Sequence, residues 1–147
     1  MPLNAGVGLH MKKTPALHPN QFRINEAWIA FQLTEEPIET EQDGLFEVIG
    51  LMDAASCFIF GTAFVPAGTS DPSEFDARRL LKAGWAHKKQ YPSRLFLPKG
   101  QFQITFPAEA KRQKISVVSV TERQLMPFIG EARQGFREHL EGKNSEA

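Results

Sequence analysis

The chain has few of the residues that mark secreted, membrane or disulfide-stapled proteins. Its 147 residues include one cysteine, Cys57, which cannot form an internal disulfide and is expected to be a small buried hydrophobe in a reducing compartment. No apolar run approaches the roughly 20 residues that a membrane helix needs. The amino terminus also lacks a basic region followed by an unbroken apolar core. These absences predict a cytoplasmic protein with no membrane segment.

Charge of one sign is not in excess either. Lys and Arg number 17, and so do Asp and Glu, so the whole molecule should not be drawn strongly to nucleic acid or anionic lipid. Only a local basic surface could do that. The histidines and the cysteine show no zinc spacing, and the chain has no G-x-S-x-G motif and no glycine-rich phosphate loop. We therefore expect no metal and no cofactor.

Phenylalanine, in contrast, is abundant, with 12 residues in the chain. Because each Phe buries a large area, a core of useful size is available. Twelve Phe side chains could also exceed what one small core can hide. An exposed apolar patch of roughly several hundred Å² would then mark a surface for a protein partner or for self-association.

The most informative stretch is residues 46–65, FEVIGLMDAASCFIFGTAFV, in which two apolar runs flank a polar turn at residues 53–56. Both runs are rich in Phe, Val and Ile, so the stretch predicts a buried β-hairpin. It places one carboxylate, Asp53, at the mouth of an apolar sheet. Asp53 is either a ligand in an enzyme or a turn residue whose oxygens bond local backbone amides.

The whole chain predicts one α/β domain, residues 23–140, between a flexible arm (1–22) and a disordered tail (141–147). Met11, followed by two lysines, is an alternative start, which leaves open whether residues 1–10 belong to the native protein. The expected order is β-β-β-α-β-α-β-α. The strands are predicted at 27–33, 45–52, 57–65, 94–97 and 115–120, and the helices at 71–90, 107–113 and 125–140.

In the first predicted helix, Asp71 is the expected N-cap. Phe75, Leu81 (or Leu80) and Trp85 recur at helical spacing and are predicted to form the buried stripe. The later alternation of helices and strands implies one mixed five-stranded sheet, with right-handed crossovers and helices on its faces.

This element order resembles the ribonuclease H-like superfamily, which includes retroviral integrases and many transposases. The run VIGLMDAASCFIFG is similar to the integrase opening, where a strand ends on Asp and a short turn leads to the next strand. The run PSRLFLPKG is similar to a later strand that ends before a Gly-containing loop. The resemblance covers residues 27–140, and a closer likeness is to bacterial domains of the same order without an established activity. It implies a ribonuclease H-like α/β fold.

Enzymes of this superfamily use several carboxylates to hold two divalent metals, which activate a water and stabilise the leaving oxygen. If the hairpin matches the integrase opening, the resemblance implies Asp53 as the first ligand and Glu131 or Glu138 as the third. The second ligand should follow the fourth predicted strand, where Pro98 and Lys99 stand. If the first predicted strand is the first strand of the enzymes instead, its middle has no acid. In both registers the metal site is incomplete.

The best indication of a binding surface is a run of basic residues with aromatic residues between them. Six Lys and Arg side chains fall within seventeen positions: Arg78, Arg79, Lys82, Lys88, Lys89 and Arg94. They could contact phosphates while exposed Trp85 or Tyr91 rings stack on bases. The alternative is a solvated helix face with Trp85 in the core.

The sequence thus favours a non-catalytic binding or assembly domain that meets an unknown protein partner or a second copy of itself. The alternative is a nucleic-acid-binding or nucleic-acid-processing protein that uses the basic residues between 78 and 94. A divergent metal nuclease with Asp53 and Glu131 as candidate catalytic residues is the third hypothesis.

Overall fold

The computed structural model describes residues 16–42, 44–69 and 71–146, and the side chains of all of these but 142–146. Most of the predicted amino-terminal arm, residues 1–15, lies outside the described residues. The described part has these strands and helices in chain order: β1 (Ala27–Gln32), β2 (Ile38–Thr40), β3 (Gly44–Asp53), β4 (Ile59–Pro66), α1 (Glu74–Lys88), β5 (Arg94–Pro98), α2 (Thr105–Arg112), β6 (Ser116–Val120) and α3 (Glu122–Glu146).

The strands form one mixed sheet. Strands β4, β3, β1, β5 and β6 are neighbours in that order, with antiparallel pairing from β4 to β1 and parallel pairing from β1 to β6. The short strand β2 pairs with the first residues of β3, on the side where β1 pairs further along. The predicted mixed α/β architecture is confirmed. The sheet has one strand more than expected, because three residues are too few to give a periodic pattern.

Helices cover both faces of the sheet, and the central strand β1 contributes to both cores. Trp28 and Ala30 face α1 and α2, while Ala27, Ile29 and Phe31 face α3. Side chains alternate along a strand, so a strand buried on both faces reads as a continuous apolar run. This is why the sequence AWIAF predicted a strand correctly.

Helix α1 begins differently from the prediction. Its N-cap is Ser73, and it ends with Lys89 in the left-handed conformation, at φ 55°. The expected cap, Asp71, instead accepts hydrogen bonds from the backbone N–H groups of Ile104 and Thr105, at 3.0 and 3.1 Å. Asp71 therefore satisfies the first donors of α2, a partner more than thirty residues away that local sequence does not reveal.

The buried face of α1 also differs from the prediction. It consists of Ala77, Leu80, Leu81 and Gly84, whereas Phe75 is 68% exposed and Trp85 is 38% exposed. The reason is Trp28, whose ring occupies the space beneath the helix. A Cβ at position 84 would lie only 2.6 Å from that ring, so the helix needs a glycine there.

Residues near both ends of the predicted domain take part in packing or in a helix. Phe22, which was expected in the flexible arm, packs edge-on against Phe96 and Phe128, with ring centroids 5.6 and 5.9 Å away. At the other end α3 continues to Glu146, so residues 141–146 are helical where a disordered tail was expected. No helix in the described ranges has both the length and the apolar character to span a bilayer.

Candidate functional site

Asp53, the last residue of β3, is 2% exposed, and its carboxylate is occupied by protein donors. Oδ1 accepts from the backbone N–H of Asn25 at 2.7 Å. Oδ2 accepts from the N–H of Ser56 at 2.8 Å and from its hydroxyl at 2.9 Å. The side chain therefore holds the β3–β4 turn (residues 54–58) against the segment that precedes β1. This is the turn role that was one of the two readings of Asp53.

The position of Asp53 in the sheet does not suit the first metal register. Asp53 pairs with Trp28, which in turn pairs with Leu95 near the start of β5. Lys99 follows the opposite end of β5. At a rise of about 3.3 Å per residue, four residues separate these levels by about 13 Å. One ion could not be bound by Asp53 and by a side chain at position 99.

The second register takes the central strand β1 as the first strand, and here too the residues do not fit divalent metals. The end of β1 meets Arg133 of α3, whose Nε donates to the Gln32 carbonyl at 3.0 Å and whose Nη2 pairs with Glu122 at 3.1 Å. Exposed Lys99 follows the parallel strand β5. A divalent metal ion needs converging oxygen ligands, and the positive charges of Arg133 and Lys99 would repel it. Within residues 16–42, 44–69 and 71–146, no three His, Cys, Asp or Glu side chains converge in a metal-binding group.

The two candidate catalytic residues, Asp53 and Glu131, both lie near the Cys57 side chain, but with the other described residues they form no set of metal ligands. Cys57 lies in the β3–β4 turn at φ 59°, not in the third strand as predicted. Burial raises the pKa of its thiol, and the negative charges of Asp53 and Glu131 raise this pKa further. Such a thiol is a poor nucleophile at neutral pH. Glu138, the other candidate on α3, accepts a hydrogen bond from Gln134 at 3.2 Å.

Half of the six predicted phosphate-binding cations are engaged within the domain. Arg78 pairs with Glu109, Arg79 with Asp76 and Arg94 with Glu26, at 3.3, 3.3 and 2.8 Å. Lys82, Lys88 and Lys89 are exposed, and none forms a salt bridge to the described residues. The basic surface therefore consists mainly of three lysines.

Five side chains recur at steps of three and four along the exposed side of α1, and we call them the outer stripe: Phe75, Arg78, Lys82, Trp85 and Lys89. The stripe is about 21 Å long at 1.5 Å per residue. The Lys89 ammonium lies 4.9 Å from the centre of the Trp85 ring. Lys88 is rotated away from the stripe by the helical turn of about 100° per residue. The predicted stacking surface required an exposed Trp85 or Tyr91 ring, and Trp85 is exposed.

Strand β4 pairs only with β3 among the described strands, so it is an edge of the sheet. Ala67 N–H donates to the Leu45 carbonyl at 3.0 Å, which fixes the alternation of the antiparallel ladder. In that alternation the backbone groups of Thr62, Phe64 and Pro66 point away from β3. The Thr62 carbonyl already accepts from Arg79 Nη2 at 2.9 Å, and Pro66 has no N–H. Both features discourage the addition of another strand.

Two aromatic clusters flank this edge. In the Phe64 cluster, Phe64 is 65% exposed and its ring centre is 5.2 Å from that of half-buried Phe46. In the Phe58 cluster, Phe58 is 51% exposed and contacts His87 and Phe60, at 4.7 and 5.9 Å between ring centres. The count of twelve Phe predicted an excess of aromatic surface, but it gave no sign of where that surface would lie.

The same architecture occurs in retroviral integrase catalytic cores. A chain of the simian T-cell lymphotropic virus intasome, solved in complex with PP2A regulatory subunit B56 gamma, is similar with a TM-score of 0.56 at 15% identity. The match covers 90% of this chain and 45% of that chain, so this chain spans less than half of its neighbour's length. The catalytic core domain of BIV integrase is similar with a TM-score of 0.54 at 8% identity, over 84% of this chain and 74% of that one.

No protein-family model and no curated protein matches the sequence. At identities this low, the likeness to the integrase cores concerns the fold alone. The class that the structure defines is therefore a mixed α/β domain with a ribonuclease H-like fold.

Proposed function

We propose that the domain is a non-catalytic binding or assembly module built on a ribonuclease H-like scaffold. The observation that carries the proposal is that cations lie at the carboxyl ends of two parallel strands: Lys99 follows β5, and Arg133 bonds the end of β1. Asp53 is buried at the hairpin, and both of its carboxylate oxygens accept hydrogen bonds from Asn25 and Ser56. The part of the chain that the structure describes then presents exposed aromatic clusters to another molecule and contains no group of three or more metal-binding side chains.

The partner that we favour is a second copy of the chain, which meets the first through the Phe64 cluster. Phe64 is 65% exposed, and the chain carries no net charge that would keep two copies apart. Arg79 occupies the Thr62 carbonyl and Pro66 has no N–H, so pairing of β4 with another strand is disfavoured. The contact would instead form by side-chain packing about a two-fold axis. The integrase-like neighbour solved with a protein subunit is an example of this scaffold within an assembly.

Sedimentation velocity over a range of about 1 µM to about 1 mM tests this proposal. The wild type is expected to dimerise, and Phe64→Ser is expected to weaken the dimer about tenfold or more, as loss of a central aromatic contact does. Ile104→Ser is the matched control, because Ile104 is 68% exposed in the loop before α2 and belongs to neither cluster. A wild type that stays monomeric throughout, or equal weakening by both variants, contradicts self-association.

The second candidate function is binding of single-stranded nucleic acid along the outer stripe of α1. The exposed Trp85 ring beneath the Lys89 ammonium favours it, because a ring can stack on a base while lysines neutralise phosphates. Fluorescence anisotropy with labelled oligonucleotides should then show binding at low salt. The double variant Lys82→Ala/Lys89→Ala should weaken this binding and reduce the salt dependence by a slope of about 1.4.

The control for this experiment is the double variant Lys111→Ala/Arg123→Ala, which removes the same charge from exposed positions on other elements. It should leave the salt slope close to that of the wild type. Absence of binding at low salt, or equal effects of the two double variants, rules out the stripe as a nucleic-acid site.

The proposal also includes cellular location and kinship. A cytoplasmic location fits the single half-buried thiol of Cys57. The proposed kinship is with bacterial domains of the same element order, and the succession of hairpin, helix and alternating strands supports it. Fractionation of cells that express the tagged chain would test the location.

A further inference from the structure

A cleft of about 460 Å³ lies between α3 and the segment that leads from β1 into β2. One wall is formed by Leu33 and Ile38, and the other by Phe136 and Leu140 of α3. Phe136 and Ile38 pack against the core beneath α3, so these apolar walls rest on the rigid part of the domain. The volume is within the range of sites that hold small molecules, which are about 300–1,000 Å³ and mostly apolar.

Arg133 brings a buried positive charge to this cleft. The residue is only 8% exposed, and it lines the cleft together with the apolar walls. Its Nε donates to the Gln32 carbonyl and its Nη2 to Glu122, while its Nη1 lies 3.9 Å from the Met126 sulfur, a weak acceptor. A guanidinium has five N–H donors, so at least two of them remain for another acceptor. The charge of Arg133 is already paired with Glu122, and the remaining N–H donors favour a further negatively charged acceptor.

A second guanidinium lies at the mouth of the cleft. Arg137 pairs with Glu35 at 2.8 Å, and both side chains are about half exposed, at 54% and 52%. An ion pair between such exposed groups contributes little to stability, so Arg137 can exchange Glu35 for the anion of a ligand at little cost. Arg133 would then fix the anion from inside the cleft and Arg137 from its mouth.

We infer that this cleft binds a small monoanion with an apolar tail, such as a medium-chain carboxylate. The carboxylate would accept from Arg133 and Arg137, and the tail would lie between Leu33 and Phe136. Glu35 and Glu36 also line the cleft, and Glu122 holds Arg133. These negative charges disfavour a ligand with several charges, such as a polyphosphate.

Titration of the ¹⁵N-labelled full chain with decanoate, below its micelle concentration, tests the inference by NMR. The backbone amide signals of Thr34 and Phe136 should shift saturably. Decanol supplies the tail without the charge, and acetate supplies the charge without the tail, so each should bind at least about tenfold more weakly. Equal binding of decanol, or absence of any saturable shift at the cleft with decanoate, overturns the proposal.

Arg137→Gln separates a guanidinium site from general apolar binding. Arg137 is half exposed, so its replacement should leave the fold intact while it weakens decanoate binding about tenfold. Arg112→Gln is the matched control, because Arg112 is 57% exposed in a similar ion pair on α2, away from the cleft. Decanoate binding that is unchanged in Arg137→Gln, or weakened as much in Arg112→Gln, would contradict the assignment of the anion site.

Discussion

The substitution Gly84→Ala tests whether close contact between α1 and β1 holds the helix that carries the outer stripe. Gly84 faces Trp28, which is fully buried and donates its indole N–H to the Asn25 side chain at 2.8 Å. A Cβ at position 84 would lie 2.6, 2.8 and 3.0 Å from three carbons of that ring. Carbon atoms in folded proteins do not approach so closely, so the ring or the helix must move.

Two opposing effects decide the magnitude. Alanine is favoured over glycine in a helix interior by about 1 kcal/mol. Overpacking a core costs about 1–3 kcal/mol, and the upper end applies here because the hydrogen bond to Asn25 and the ring of Phe60, 5.0 Å away, restrain Trp28. We expect Gly84→Ala to lower the free energy of unfolding by about 2 kcal/mol, the difference between these two effects.

Gly135→Ala provides the control. Gly135 lies within α3, and nothing stands within 4 Å of a Cβ added there. Only helix propensity acts, so this variant should be more stable by up to about 1 kcal/mol. Urea unfolding followed by far-ultraviolet circular dichroism measures both changes. If Gly84→Ala is as stable as the wild type while Gly135→Ala is stabilised, α1 can rise from Trp28 without cost and the reasoning fails.

Three further outcomes are expected. Arg79→Ala uncovers the Thr62 carbonyl on the β4 edge, so light scattering on prolonged incubation should rise faster than for the wild type. The backbone N–H of Arg23 and the nearby guanidinium groups lower the pKa of Glu26 from 4.5. The ionised carboxylate therefore stabilises the fold above that pH, and this stabilisation is lost as the pH falls. In the variant Glu26→Gln, the urea midpoint should thus decrease less steeply below about pH 5 than in the wild type. Burial raises the pKa of Cys57, so iodoacetamide at pH 8 should alkylate it more slowly in the native chain than in the urea-unfolded chain.

The sequence predicts the elements whose signals are local. The apolar run of β1 and the two runs of the hairpin are long enough to identify strands, and their order is sufficient for the mixed sheet. The segment before α1 contains two capping side chains, Asp71 and Ser73, two residues apart. Only the tertiary contact of Asp71 with the start of α2 decides that Ser73 caps α1. Local pattern cannot make that choice.

The candidate surfaces could be predicted only in part, because they depend on which neighbour fills the space. Helical spacing indicates correctly that Phe75 and Trp85 lie on similar sides of α1, but it assigns that side to the core. The core side holds small residues such as Gly84, since the large Trp28 ring comes from the sheet. Likewise, Arg133 donates to the carbonyl of Gln32, which is 101 residues away in the chain. The local sequence around either residue does not predict this hydrogen bond.

The two ends of β1 lie beside charged side chains whose polar atoms are hydrogen-bonded within the domain. At the amino end, the Asp53 carboxylate accepts from the N–H of Asn25 and from the N–H and hydroxyl of Ser56, and it thereby holds the turn. At the carboxyl end, the Arg133 guanidinium places a positive charge beside the Gln32 carbonyl. A buried guanidinium needs acceptors of its own, and it takes them from Gln32 and Glu122. A divalent metal ion at the carboxyl end of β1 would therefore need added acids and the removal of Arg133 together.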